Sequence, residues 1–156
     1  MVMPPLLKLA TEADYRQHFE TTYCEATITT HDGIRVHFKK ENFGHAFFES
    51  KFRNGVKDTT LSQIRAERMN WIAGTLADPT ADRFQGWDNK NGRYDATRCV
   101  SVVFGDFVVV IRLGKKAGCT LKANFVTCYE ADNSIGKIRR SPLWNKGDCL
   151  NALRKR

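Results

Sequence analysis

One imidazole, two hydroxyls and a set of permanent cations are the chemically capable residues of this chain: His45, Thr127 and Tyr129, with Lys57, Arg65, Arg68, Arg112, Lys137, Arg139 and Arg140. Such a set suits cleavage of RNA without a metal. The RNA 2′-hydroxyl attacks its own phosphodiester, so the protein need not supply a nucleophile. It must supply an acid–base group that titrates near neutrality, as histidine does. It must also place fixed cations and donors around the phosphorane oxygens, as arginine, lysine and a threonine hydroxyl do. The expected products are a 2′,3′-cyclic phosphate and a 5′-hydroxyl end. A Walker loop, a dinucleotide fingerprint, an HExxH pair, a nucleophile elbow and a cluster of acids for two metal ions are all missing, so no cofactor and no metal is expected.

The stretch that must position this chemistry runs from Asn42 to Leu76. It reads as a histidine among aromatics, then a lysine, then one long helix. Asp58, Thr59 or Thr60 can cap that helix, and Asp78-Pro79 stops it. On a helical wheel Leu61, Ile64, Met69, Trp71, Ile72 and Leu76 share one broad face. Gln63, Ala66, Glu67 and Asn70 fall on the opposite, wet face. Arg65 and Arg68 fall near the middle of the apolar face, where arginine seldom sits without a partner. Either a carboxylate such as Glu41, Glu49 or Glu67 meets them, or they point into a cavity that handles anions.

Around that stretch the chain reads in order. Thr11 caps a short helix over residues 11–22, with Tyr15, Phe19 and Thr22 at helical spacing. Residues 26–39 read as a hairpin on a two-residue Asp32-Gly33 turn. There Ile34, Val36 and Phe38 face inward, and Arg35, His37 and Lys39 face water. Residues 79–97 read as a polar loop pinned by Phe84, Trp87 and Tyr94, aromatics that can also stack on bases. CVSVVF and FVVVIRL, joined by Gly105-Asp106, are nearly continuous apolar runs and hence central strands. Residues 123–131 form another strand, with Phe125, Thr127 and Tyr129 on one face and Val126 and Cys128 on the other. A basic segment ending near Trp144 closes the pattern. Strands joined by short turns pair antiparallel. The expected fold is α+β: a mostly antiparallel β-sheet of about four strands with N-terminal helices packed on one side.

With 156 residues and 42% hydrophobic content the chain is one folded domain. It has no apolar run near the roughly 20 residues that span a membrane. Its opening MVMPPLLKLATEAD lacks a secretory pattern, so a cytoplasmic location is expected. Five cysteines without CxxC spacing predict free thiols rather than a disulfide framework or zinc module. The net charge of +8 is uneven. Residues 1–78 hold ten basic and ten acidic side chains, while residues 79–156 hold fifteen and seven. A basic half of this kind favours a polyanion, chiefly nucleic acid.

Several stretches also carry a resemblance: NFGHAFFES, KDTTLSQIRAERMNWIAGTLADP, FVVVIRL, NFVTCYEAD and KIRRSPLW. By pattern and order over roughly residues 26–145 they resemble the barnase–EndoU–colicin–RelE type of RNase, in particular its phage-associated branch. The resemblance implies an α+β fold with helices before a four-stranded antiparallel sheet. It implies metal-independent cleavage of RNA, often tRNA in toxin relatives, and a protein inhibitor or immunity partner. His45 then looks like the acid–base residue and Arg65 or Arg68 like the helix-borne phosphate cation. Thr127 looks like the strand hydroxyl of the site, with Tyr129 beside it. On this reading residues 1–25 are an N-terminal helix, 26–145 a nuclease-like core and 146–156 a basic tail. Two further readings stay open: a non-catalytic RNA-binding protein of the same fold, and a phage structural or adaptor protein whose basic surface meets nucleic acid incidentally.

Overall fold

The two apolar runs flanking Gly105-Asp106 do form interior strands of the sheet. In a computed structural model that describes residues 3–49, 60–116 and 120–155, they are the cores of two paired strands, Arg93–Phe104 and Phe107–Lys116. Gly105 turns the chain between them at φ 61°, a left-handed conformation that glycine adopts without a Cβ penalty. In chain order the strands are β1 Ile28–Thr29, β2 Arg35–His37, β3 Asp82–Asp88, β4 Arg93–Phe104, β5 Phe107–Lys116 and β6 Thr120–Glu130. The sheet therefore has six strands among the described residues, in the order β1-β2-β6-β5-β4-β3. The expected α+β class holds, and the expected mostly antiparallel sheet of about four strands is corrected to a mixed sheet of six in two respects. β2 pairs with β6 in parallel, through Arg35↔Lys122, Val36↔Ala123 and His37↔Asn124. The stretch read as a loop supplies β3, which turns back at Gly92 (φ 63°) into β4. The Asn91-Gly92 pair is itself a hairpin signal; the polar residues around it obscured the strand.

The hairpin over 26–39 exists, but β1 and β2 are short. Its loop closes through Thr30 and Ile34, with Gly33 at φ 85°, rather than as a two-residue turn. Ile34, Val36 and Phe38 are buried, and Arg35, His37 and Lys39 are exposed, as the alternation requires.

The helices are α1 Glu12–Phe19, α2 Asn42–Ala46, α3 Gln63–Glu67, α4 Trp71–Ala77, α5 Ile135–Arg139 and α6 Lys146–Arg154. The Thr11 side chain caps α1 by accepting from the Asp14 N–H. A π-turn at Glu20–Cys24 then advances the phase, so Tyr23 rather than Thr22 is buried. Residues 146–154, read as part of a tail, form α6 on an Asn145 cap, with Cys149 and Leu153 buried against the core.

The expected long helix is two short ones, broken at Arg68–Asn70 and capped by Ser62. Asp58 and Thr59 lie outside the described residues. The break invalidates a single wheel. Ala66, Glu67, Met69 and Ile72 are buried, while Ile64 is 57% exposed. The face expected to be wet is covered by the N-terminal segment. There the Leu7 N–H donates to the Glu67 carbonyl at 2.8 Å and Lys8 pairs with the Glu67 carboxylate, while on the apolar face the Trp71 indole donates to the Pro4 carbonyl at 2.8 Å.

The sheet has two unlike faces. One packs on the N-terminal helices, α3, α4 and α6 around a cluster of aromatics centred on Phe19. The other carries a small apolar patch of Phe84, Val103, Val108 and Ala131, covered by Ile135 and Ile138 of α5. Among the described residues no helix is long and apolar enough to cross a membrane. Cys24, Cys99 and Cys128 are free thiols, and Cys119 lies outside the described residues. Burial pushes the Cys128 thiol up to about 12.

Candidate nucleic-acid interface

The part of the second sheet face beyond α5 is open, and its side chains are mostly basic. Alternation puts Arg35 and His37 of β2 there, because Val36 faces the core. It puts Lys122 and Asn124 of β6 there, between buried Leu121, Ala123 and Phe125. It puts Arg112 of β5 there, across from Asn124 and between buried Ile111 and Leu113. Arg35, His37, Lys116 and Lys122 line a hollow of about 480 Å³. Loss of hydration and the nearby charges of Arg35, Lys122 and Lys116 all lower the pKa of His37, which favours its neutral form.

Where β2 ends, α2 takes its place beside β6, with Phe43 and Ala46 in the core and His45 outside. His45 thereby lines a cleft of about 280 Å³ with Arg112, Asn124, Lys39, Glu41 and Asn42. Glu41 precedes His45 by four residues, one helical turn, so the cleft offers a carboxylate beside the imidazole.

The other expected site residues divide. A bulge leaves Val126 without a partner, since Ile111 pairs with Phe125 and Val110 with Thr127. This extra residue reverses the strand parity. Phe125 faces the aromatic core, stacked on Phe38 at 4.8 Å, whereas Thr127 and Tyr129 stand opposite Val110 and Val108 on the other face. The expectation that Phe125 shares a face with Thr127 and Tyr129 is therefore corrected. Thr127 and Tyr129 do share the face of Arg112, but neither lines the His45 cleft. Burial raises the pKa of the Tyr129 phenol, and the charge of Arg65 opposes that rise.

Neither helix arginine lines that cleft. Arg65 donates to the Ala46 carbonyl at 3.0 Å and so ties α3 to the end of α2 that carries His45. Arg68 meets a carboxylate, but it is Glu130 at 2.7 Å rather than Glu41, Glu49 or Glu67, and its guanidinium lies 5.1 Å from the Trp71 ring centre. Arg139 is held by Asp82 at 2.7 Å and by the Gly105 carbonyl at 2.9 Å. Lys137 lines a groove with Tyr129, Trp87 and Tyr94. Arg140 is exposed, and Lys57 lies outside the described residues. Sequence reasoning placed none of His37, Lys116, Lys122 and Glu41 in the site, although it marked the two lysines as part of the basic half and Glu41 as a possible arginine partner. The hairpin alternation marked His37 as wet, but only the parallel β2–β6 pairing brings it beside Lys122.

Among the described residues no group of three or more His, Cys, Asp or Glu side chains is placed to hold a metal ion. Comparison with protein-family models, with curated proteins and with solved structures finds no match to this chain.

Proposed function

We propose that this protein is a metal-independent endoribonuclease of toxin or mobile-element type, of the barnase–EndoU–colicin–RelE kind, acting in the cytoplasm on RNA such as tRNA. The observation that carries this reading is the cleft in which His45 and Arg112 meet at the rim of an open, basic sheet face. The row of Arg35, Lys116, Lys122 and Arg112 supplies phosphate contacts along the sheet. At the cleft, Glu41 takes the 2′-hydroxyl proton as that oxygen attacks phosphorus. Protonated His45 gives a proton to the departing 5′-oxygen, and Arg112 neutralises charge building on the phosphorane. Arg65 acts by holding α2 in place rather than by touching phosphate. An inhibitor partner would cover the basic face.

The test is incubation of the purified protein with total RNA in EDTA, followed by end-group analysis. Fragments with 2′,3′-cyclic phosphate and 5′-hydroxyl ends are expected, with binding that weakens steeply as salt rises. Intact RNA together with salt-dependent binding would favour the non-catalytic RNA-binding reading. The engaged head of Arg68, expected at the cleavage site, is the observation on its side.

His37 adds a pH dependence. Its folded pKa lies below the ordinary value, so the free protein loses stability as pH falls through the range where the unfolded histidine takes up a proton. A bound phosphate reverses the balance by favouring the charged ring. RNA binding should therefore take up protons and tighten as pH drops from about 7.5 to about 5.5, by at most about tenfold per pH unit for one proton. The measurement is Kd against pH for wild type and H37Q. Identical slopes would remove His37 from the interface.

A further inference from the structure

The groove beside α5 contains a feature that phosphate binding alone does not use. Trp87 is 54% exposed, although it lies within β3. Just before it the pairing with β4 jumps, from Gln85 opposite Val100 to Gly86 opposite Asp95. Gly86 is required there, because a Cβ would come within 2.6 Å of the Cys99 Cβ. The Tyr94 ring stands edge-on to the indole, with centroids 5.0 Å apart and planes at 81°. The indole is thus held in place with much of its surface left to solvent. It borders two grooves of about 250 Å³ each. Arg112 lines the first, the same arginine that lines the His45 cleft. Lys137 lines the second, with Tyr129 and Ser101. The one buried carboxylate of the first groove, Asp88, is paired with Arg98 at 3.0 Å. A cation therefore lies on either side of an exposed, braced ring.

We propose that Trp87 is a base-stacking platform that selects unpaired nucleotides, so that the substrate is single-stranded or looped RNA. Arg112 and Lys137 hold the phosphates flanking the stacked base. A base in a duplex has both faces occupied by its neighbours, whereas an unpaired base can stack on an indole. The inference rests on the RNA reading above, and it adds the strandedness of the substrate and a binding residue outside the cleavage cleft.

The experiment uses the full chain and three 2′-O-methyl probes that cannot be cleaved: a short single strand, the same sequence as a duplex, and an abasic strand with equal phosphates. The single strand should quench tryptophan fluorescence and bind wild type more tightly than either other probe. W87A should lose roughly tenfold for the single strand, the scale of one base–aromatic stack, and little for the abasic strand. W87F, which keeps a ring, should restore most of the affinity while abolishing the quench. If W87A does not fold, W87F decides the matter: a quench that persists comes from another tryptophan and overturns the platform. Equal affinity of W87A and wild type for the single strand, or equal affinity of wild type for single strand and duplex, also overturns it and leaves RNA binding standing. Failure of wild type to bind any probe in a salt-dependent way overturns both proposals.

Discussion

Replacing His45 by alanine is expected to slow RNA cleavage by about 10²–10⁴, the range of one positioned proton-transfer group. Affinity for RNA should change little, because the cations of the sheet face make the phosphate contacts and remain. The substitution is also mild for the fold, since His45 is exposed while its neighbours Phe43, Ala46 and Phe47 carry the packing of α2. R112A should behave differently and lower both rate and affinity, since a cation acts on ground state and transition state alike. Single-turnover cleavage and filter binding separate the two effects. An H45A protein that cleaves as fast as wild type would exclude His45 from the mechanism. Cleavage abolished by EDTA and restored by Mg²⁺ would reject the metal-free scheme as a whole.

Phe19→Ala should be the most damaging single truncation of the core. Phe19 is fully buried, and its ring lies 5.4–6.3 Å from those of Tyr23, Phe38, Phe43, Phe47 and Phe125. Those partners come from the π-turn after α1, from the segment after β2, from in and beside α2, and from β6. No single neighbour can move to fill the space without disturbing another, so the cavity term is large. The expected cost is about 3–5 kcal/mol. At roughly 2–4 °C per kcal/mol for a chain of this size, Tm should fall by on the order of 10 °C. Phe19→Leu, which keeps most of the volume, should cost less. Calorimetry on both variants checks the point, and an F19A protein melting within about 2 °C of wild type would show that this cluster is not central. Because Phe125, a ring partner of Phe19, also lines the His45 cleft, F19A should also reduce cleavage below the melt.

Much of this architecture is encoded locally. The paired apolar runs around Gly105 specify two central strands, because a strand covered on both faces has no polar side to show. Alternation specified the inner and outer faces of β2, and Thr11 specified the start of α1, since period-2 patterns and capping residues act over a few residues. NFGHAFF showed a histidine among aromatics, but the short helix that buries Phe43 and Ala46 and leaves His45 outside was not read from it. Other features depended on contacts between distant segments. The wheel misplaced Ile64, Ala66 and Glu67 because the helix breaks at Arg68–Asn70 and because Leu7 and Lys8 cover Glu67, which no local pattern announces. The parity of Thr127 turned on one extra residue at Val126, where only the register with β5 reveals a bulge. The meeting of His45 with Arg112, and of His37 with Lys122, follows from the parallel seat of β2 beside β6. The sequence by itself determined which residues carry the charge and which strands hide. The tertiary structure alone decided which of those charges share a surface, because that depends on strand order and register, and these are set by side-chain packing between segments far apart in the chain.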